Sequence, residues 1–115
     1  MTIETFKTKI FDFENNEEWK YLGKNPCILT FSALGWCQPC KQLHPVLENL
    51  STEYNGKVDI FEIDIDEEHE LTEMFHIKSV PTLLFVPMEG QPQMLVGGIG
   101  KDKFKNIISE VFKVE

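Results

Sequence analysis

The chain has few cysteines, few basic side chains and no long hydrophobic run. Three cysteines are an odd number, which excludes a framework in which every cysteine is paired. The 11 basic against 19 acidic side chains give a net charge of -8, which disfavours nucleic acids and anionic membranes as partners. The start, MTIETFKTKIFDFE, has no basic segment followed by an apolar run, so we expect no secretory signal, no membrane anchor and a cytoplasmic location.

The sequence also lacks internal repeats, low-complexity stretches and Gly/Ser-rich linkers. Its 115 residues, 42% of them hydrophobic, are enough for one core, so we predict a single domain over residues 1–115. Alternating or continuous apolar runs predict strands over residues 6–11, 27–32, 58–65, 82–86 and 93–96. Helical patterns predict helices over residues 17–22, between Cys37 and Gly56, over residues 67–75 and through residues 104–112.

The order of these elements predicts an α/β fold with a central mixed β-sheet and helices on both of its faces. The last two strands are expected to form an antiparallel hairpin. Asn15 or Asn16 is expected to cap the helix over residues 17–22. Pro45 lies inside the next helix and is predicted to kink it, because its ring crowds the carbonyl of Lys41.

Two of the cysteines stand three residues apart in LGWCQPCK, residues 34–41. Cys37 follows a predicted strand and starts a predicted helix, where unpaired backbone N–H groups and the positive end of the helix dipole favour a thiolate. Cys40 lies one turn later on the same face, close enough for a disulfide. The pattern predicts that Cys37 attacks a disulfide and Cys40 resolves the product, while Pro39 stiffens the first helical turn.

Half of a zinc site is the alternative interpretation of this pair. It requires two further ligands, and the candidates are Cys27, His44, His69 and His76. None of these forms a second close pair with the spacing of known zinc sites, so we predict no metal. Cys27 begins a buried strand and is expected to be a small core residue rather than a redox partner.

WCQPCK after an apolar strand, VPTLLF later and VGG before the last helix together resemble the thioredoxin family over essentially the whole chain. The resemblance implies a thioredoxin-like fold and a thiol–disulfide oxidoreductase that reduces protein disulfides through Cys37 and Cys40. No organic cofactor is expected beyond the redox-active pair itself. The resemblance also implies recycling by a thioredoxin reductase, and we expect a monomer.

The same resemblance suggests a substrate-binding surface beside the pair. It implies a cis peptide bond before Pro81, which leaves the backbone of Val80 free to pair with an extended substrate. A proline that merely punctuates the strand is the alternative. The resemblance implies that Trp36 contacts partners and shields the pair; a core position is the alternative. Gly97 either lets a partner approach closely or forms a bulge between strand and helix.

The sequence departs from the family behind the cysteines. The family's buried acid falls on Thr30, and the lysine that often accompanies it falls on Glu62, which shares a strand face with Ile60 and Asp64. We therefore hypothesise that Glu62 supplies the proton acceptor; the alternative is a solvated Glu62 with water in that role. Ser32 stands where relatives commonly carry a second tryptophan, so substrate preference is expected to differ.

Two other functions are compatible with the pattern. One is a protein-binding module whose cysteine pair is redox-silent. The other is an oxidant or isomerase, which requires a less stable disulfide, and Gln38 in place of a glycine shifts that balance by an unknown amount. Eight acids between Asp59 and Glu73, with no Lys or Arg among them, are expected to form a solvated face rather than a docking surface for basic partners.

Overall fold

Four strands form one mixed sheet in the computed structural model, which describes residues 1–114. The strands are β1 (Cys27–Ser32), β2 (Asp59–Asp64), β3 (Thr82–Val86) and β4 (Gln93–Val96). Their order across the sheet is β2-β1-β3-β4, with β1 parallel to β2 and antiparallel to β3, and β3 antiparallel to β4. The predicted strands from residue 27 onward and the hairpin are confirmed.

Helices cover both faces of this sheet. They are α1 (Ile3–Lys9), α2 (Gln38–Glu53), α3 (His69–Met74) and α4 (Lys101–Ile107), which continues into a π-helical turn over Ile108–Phe112. The predicted mixed sheet between two helical layers is confirmed. Within residues 1–114, no helix is both long and apolar enough to cross a membrane.

Two hydrophobic clusters, one on each face, hold the layers together. On one face, α2 and α4 pack on the sheet through Ile28, Leu43, Leu47, Leu50, Leu83, Phe85 and Phe104. On the other face, α1 and α3 pack through Phe6, Leu29, Phe31, Ile63, Leu71, Leu84 and Val86. Because successive strand residues point to opposite faces, β1 contributes Ile28 to the first cluster and Leu29 to the second. The strand is buried along its whole length.

Local sequence explains the limits of α2, the helix that carries the cysteine pair. Cys37 is its N-cap residue and Pro39 lies in its first turn, where a missing N–H costs no hydrogen bond. Gly56, just beyond its end, has a φ of 83°, a conformation that glycine adopts without strain. The helix runs through Pro45. The kink at that residue stays a prediction.

The predicted first strand is wrong, because residues 3–9 form α1. The hydroxyl of Thr2 caps this helix by accepting a hydrogen bond from the N–H of Thr5 at 3.2 Å. Ile3, Phe6 and Ile10 follow the spacing of one helix face, and Phe6 and Ile10 are buried under it. The alternation over residues 6–11 was a weaker signal than this spacing and the cap.

The predicted helix over residues 17–22 is also wrong, because these residues form no helix. Asn15 and Asn16 do not cap a helix. Their side-chain amides donate instead to Asp12, to its carboxylate at 2.7 Å and to its carbonyl at 3.1 Å. Trp19 packs against the cluster beneath α1. Burial of this large ring outweighs the helix preference of its neighbours.

Candidate active site

Cys37 and Cys40 form a disulfide at the start of α2, with their Cα atoms 5.2 Å apart. Because Cys37 is the N-cap residue, its sulfur accepts a hydrogen bond from the N–H of Cys40 at 3.2 Å. Its own N–H donates to the carbonyl of Ala33 at 2.8 Å. Cys37 is 5% exposed and Cys40 is 2% exposed, so little of either residue is accessible and Cys40 is the more buried.

The electrostatic environment of the pair favours a thiolate at Cys37. The N-terminus of a helix of 16 residues presents unpaired N–H groups and the positive end of its dipole to this sulfur. No acidic side chain lies in the first turn to oppose a negative sulfur. The geometry therefore supports Cys37 as the attacking sulfur and Cys40, within disulfide distance, as the resolving one.

Val80 packs against Cys37 and Cys40, and the chain continues from it into Pro81, to which Gly97 is hydrogen-bonded. The peptide bond between Val80 and Pro81 is cis, as the resemblance implied. The carbonyl oxygen of Val80 is 3.9 Å from the sulfur of Cys37. Gly97 donates its N–H to the carbonyl of Pro81 at 2.8 Å and has a φ of 100°, which favours glycine. Val80 therefore lies against the pair, and Pro81 and Gly97 are connected to it; their part in substrate binding stays a prediction.

Several apolar side chains near Cys37 and Pro81 in sequence or strand register are exposed. Trp36 is 61% exposed, and its indole N–H donates to the carboxylate of Asp66 at 2.9 Å. Leu34 precedes it and is 37% exposed. Val96 lies opposite Thr82 in the hairpin and is 63% exposed. The exposure of Leu34 and Val96 is not predictable from the sequence, because an apolar residue in a loop or at the edge of a strand carries no signal of its own.

Glu62 lies on the side of the sheet that faces α2. It is the register partner of Thr30 on the parallel strand β1, and its side chain is 26% exposed. One carboxylate oxygen is 2.7 Å from Nδ1 of His44 on α2. The other ring nitrogen of His44 is 2.9 Å from a carboxylate oxygen of Glu48. Glu62 is therefore bonded to a side chain of the helix that carries the cysteines.

His44 was considered only as a zinc ligand in the sequence analysis. Its four-residue spacing from Cys40 places both on one face of α2, and that spacing is the signal for its position. Partial burial of the ring lowers the pKa of His44. The adjacent carboxylates of Glu62 and Glu48 together outweigh this effect, so the pKa of His44 is raised above its usual value.

Thr30 occupies the position at which the resemblance implied an acid. It is fully buried, and its hydroxyl has no hydrogen-bond partner among residues 1–114. Ser32, at the position of a second tryptophan in relatives, is also buried and 3% exposed. The site thus has small neutral side chains on β1 where the family pattern has an acid and an aromatic ring.

The thioredoxin family model matches residues 5–110 of the chain. A thioredoxin of Borreliella burgdorferi is 40% identical over 112 residues, which are 97% of this chain and 95% of that protein. The chain belongs to the thioredoxin family. A thioredoxin of Staphylococcus aureus is 38% identical over 76 residues, 65% of this chain and 72% of that protein.

A solved structure of chloroplastic thioredoxin z superposes with a TM-score of 0.80, covering 96% of this chain and 90% of that one. At 24% identity this likeness shows the thioredoxin fold alone. Family membership and the bonded Cys37–Cys40 pair together make the chain a thiol–disulfide oxidoreductase that acts on protein disulfides.

The third cysteine of this thioredoxin-family chain is separate from the site. Cys27 is a free thiol, fully buried at the start of β1. Burial raises the pKa of its thiol to about 12, an effect that a hydrogen bond with Tyr21 only partly offsets. A buried neutral thiol is a poor nucleophile. The prediction that Cys27 is a core residue is confirmed.

Within the described part of the chain, no group of three or more His, Cys, Asp or Glu side chains is arranged to hold a metal ion. In the oxidised pair, both sulfurs of Cys37 and Cys40 are used in the bond between them.

Proposed function

We propose that the chain reduces disulfides of substrate proteins in a reducing cytoplasm, and that a thioredoxin reductase then reduces its Cys37–Cys40 disulfide. One observation carries this proposal: the sulfur of Cys37 caps α2 and is bonded to the less exposed Cys40. This arrangement supports an attacking thiolate with a resolving thiol behind it. A reducing compartment suits a dithiol that donates electrons.

The reaction that this geometry supports has two steps. The thiolate of Cys37 attacks one sulfur of the substrate disulfide, forming a mixed disulfide, and the other substrate sulfur leaves as a thiolate that takes a proton from water. Cys40 then loses its proton and attacks the sulfur of Cys37, which releases the second substrate thiolate. Two electrons pass from the cysteine pair to the substrate. The exchange as proposed uses no organic cofactor and no metal.

The substrate surface in this proposal consists of Trp36, Val80, Pro81 and Gly97. An extended substrate segment pairs with the backbone of Val80, whose carbonyl is 3.9 Å from the attacking sulfur. The exposed ring of Trp36 contributes apolar contact area beside it. We propose that substrates bind this surface transiently and that the chain acts as a monomer.

Glu62 is the proton acceptor for Cys40 in this proposal. Strand β1 carries no acid, and the neighbouring strand β2 presents two carboxylates on its α2 side, Glu62 and Asp64. Asp64 accepts a hydrogen bond from the N–H of Asp66 in the following turn at 2.8 Å. Glu62 has no such local partner and is turned toward α2 through His44. A carboxylate in this position suits proton exchange during resolution.

We test the function with cysteine substitutions and a potential measurement. Cys37→Ser is expected to abolish reduction of a protein disulfide, because the thiolate that attacks is gone. Cys40→Ser is expected to accumulate the mixed disulfide, which mass spectrometry detects. The reduction potential, measured by equilibration in graded thiol–disulfide buffers, is expected below that of the glutathione pool.

Cys27→Ala is the matched control, because it removes a cysteine outside the site, and it should retain activity. A potential well above the glutathione pool would instead make the chain an oxidant or isomerase. Failure of the pair to form a disulfide at any buffer ratio, with partner activity unchanged by Cys37→Ser and Cys40→Ser, would leave a redox-silent binding module.

A further inference from the structure

His44 lies between two carboxylates, one on its own helix and one on the sheet. The residue is partly exposed, with 39% of its side chain accessible, yet both ring nitrogens face carboxylate oxygens at hydrogen-bond distance. Nδ1 is 2.7 Å from Glu62 on β2 and Nε2 is 2.9 Å from Glu48 on α2. Since carboxylate oxygens only accept, the ring makes both bonds as a donor when it is protonated.

The position of His44 relates this contact to the cysteine pair. Cys40 precedes it by four residues on α2, which is one helical turn on the same face and a rise of about 6 Å. Glu62, which is hydrogen-bonded to His44, is the register partner of Thr30 on the adjacent strand β1. Thr30 stands at the position of the family's acid. His44 therefore connects the helix of the resolving cysteine to the carboxylate on the neighbouring strand.

We propose that His44 is a positioning residue, which holds the carboxylate of Glu62 so that this group accepts the proton that Cys40 loses during resolution. The inference rests on the proposed function above and adds a residue and a pH dependence to it. The acid–cation pair of Glu62 and His44 differs from the acid and lysine that the resemblance implied. Here the acid lies on β2 and the cation on α2, and the position of the family's acid on β1 holds the neutral Thr30.

Protons and electrons balance when Cys40 resolves the mixed disulfide. Cys40 passes its proton to Glu62, directly or through one intervening hydroxyl or water, and its sulfur then attacks the sulfur of Cys37. A new bond joins Cys37 and Cys40, and the bond between Cys37 and the substrate breaks. The electron pair of the broken bond leaves with the substrate sulfur, and Glu62 returns its proton to solvent.

The protonation of His44 makes this step depend on pH. The charged groups that face the ring are Glu62 from β2 and Glu48 from α2, and β1, the strand next to β2, carries no charged side chain. These carboxylates raise the pKa of His44 against the effect of partial burial. The imidazolium therefore predominates below this raised pKa and is lost as pH rises through it.

The test follows the reduced protein as it reacts with an aryl disulfide whose released thiolate is coloured. The first equivalent of colour reports attack by Cys37, and the second reports resolution by Cys40. In His44→Ala we expect the second equivalent to appear about tenfold more slowly near neutral pH, with the first unchanged. Glu62→Gln should slow the same equivalent, and the double variant should be no slower than Glu62→Gln alone.

A conservative variant separates positioning from general packing. In His44→Asn, a side-chain amide can still donate to Glu62 but does not titrate. Compared with His44→Ala, we expect this variant to restore part of the rate of the second equivalent. Its pH–rate profile should lack the inflection that deprotonation of His44 causes. In the wild type, the ring resonances of His44 should titrate at different pH in the oxidised and reduced states, because linkage between the two sites is reciprocal. Glu53→Gln, on the far end of α2, is the control expected to change neither equivalent.

The proposal is overturned if His44→Ala resolves the mixed disulfide at the wild-type rate with the wild-type pH profile. It is also overturned if His44→Ala slows both equivalents alike, because that result assigns a structural role. Failure of the proposed function is a different observation: the wild type would then release neither equivalent, or Cys37→Ser would release both.

Discussion

At the residue scale, the chemistry depends on where a few side chains stand relative to one helix end. Cys37 is reactive because it caps α2, whereas Cys27 is inert because it is fully buried. Spacing along the chain was sufficient to find the pair Cys37 and Cys40. It was insufficient for His44, because its role depends on a contact with β2, which lies elsewhere in the sequence.

Trp36 supports a prediction about substrate binding. Replacement by Ala should raise KM for a protein disulfide by about tenfold, because the exposed ring is lost from the proposed contact surface. Stability should change by less than about 0.5 kcal/mol, since the ring buries little area in the free protein. The measurement compares steady-state kinetics on a protein disulfide with those on a small aryl disulfide.

The small disulfide is the internal control, because it does not reach the ring, and its rate should be unchanged. Trp36→Phe should recover part of the affinity by keeping an apolar ring while losing the hydrogen bond to Asp66. Equal losses on both substrates would contradict a role for Trp36 in recognition and would point to altered chemistry at Cys37.

At the scale of elements, the residues near the N-terminus fit both a helical and a strand pattern. The strands from β1 onward were predictable because their apolar runs are short and bounded by turns. The segment before β1 was not predictable, since Phe6 and Ile10 fit both an alternating strand and one face of a helix. The helix is favoured because Phe6 and Ile10 pack in one cluster with Phe31 and Leu71, which are distant in sequence.

Leu47 allows a test of the packing of α2 on the sheet. The residue is 2% exposed within the cluster that joins α2, α4 and the sheet. Leu47→Ala should lower the free energy of unfolding by about 2 to 5 kcal/mol, because it removes buried methyl groups and leaves a cavity. Urea unfolding of the oxidised protein measures this as a lower midpoint at similar slope.

Asn49→Ala is the control for that experiment, because Asn49 lies on the exposed face of the same helix. Its unfolding free energy should stay within about 0.5 kcal/mol of the wild type. A loss for Leu47→Ala no larger than that of Asn49→Ala would contradict the packing of α2 described here.

At the scale of the whole molecule, burial determines which ionisable groups influence stability. Most of the acidic excess is carried by exposed or half-buried side chains, in keeping with a solvated face over residues 59–73. Cys27 is different, since the fold surrounds it completely and raises the pKa of its thiol to about 12. Tyr21, which is influenced by the thiol of Cys27, also has a raised pKa, through burial first and the neighbouring thiol second.

These raised pKa values predict a loss of stability at alkaline pH. The unfolded chain releases the Cys27 proton near pH 8.5, while the folded chain keeps it until about pH 12. The stabilisation from the neutral thiol of Cys27 is therefore fully present below about pH 8.5. Above that, each pH unit lowers the free energy of unfolding by at most about 1.4 kcal/mol, until the folded chain also releases the proton. Urea unfolding at neutral pH and near pH 10 should show this fall, measured with Cys37 and Cys40 replaced by Ala to prevent exchange.

The matched variant adds Cys27→Ala to the same background. Its unfolding free energy should fall less between the two pH values, because only Tyr21 of the two coupled groups remains. An identical fall with and without Cys27 would show that its thiol does not resist ionisation in the folded state.

The cysteine pair, the strand and helix that present it, and the Val80–Pro81 step could all be predicted from local patterns with fixed spacing, and together they were sufficient to predict the family. The helical N-terminus, the exposure of Leu34 and Val96, and the hydrogen bond between His44 and Glu62 became visible only in the folded chain. The physical reason is that these features arise between elements that meet only on folding. Periodicity reports what one segment prefers, whereas a contact across the sheet depends on the register and packing of its partner.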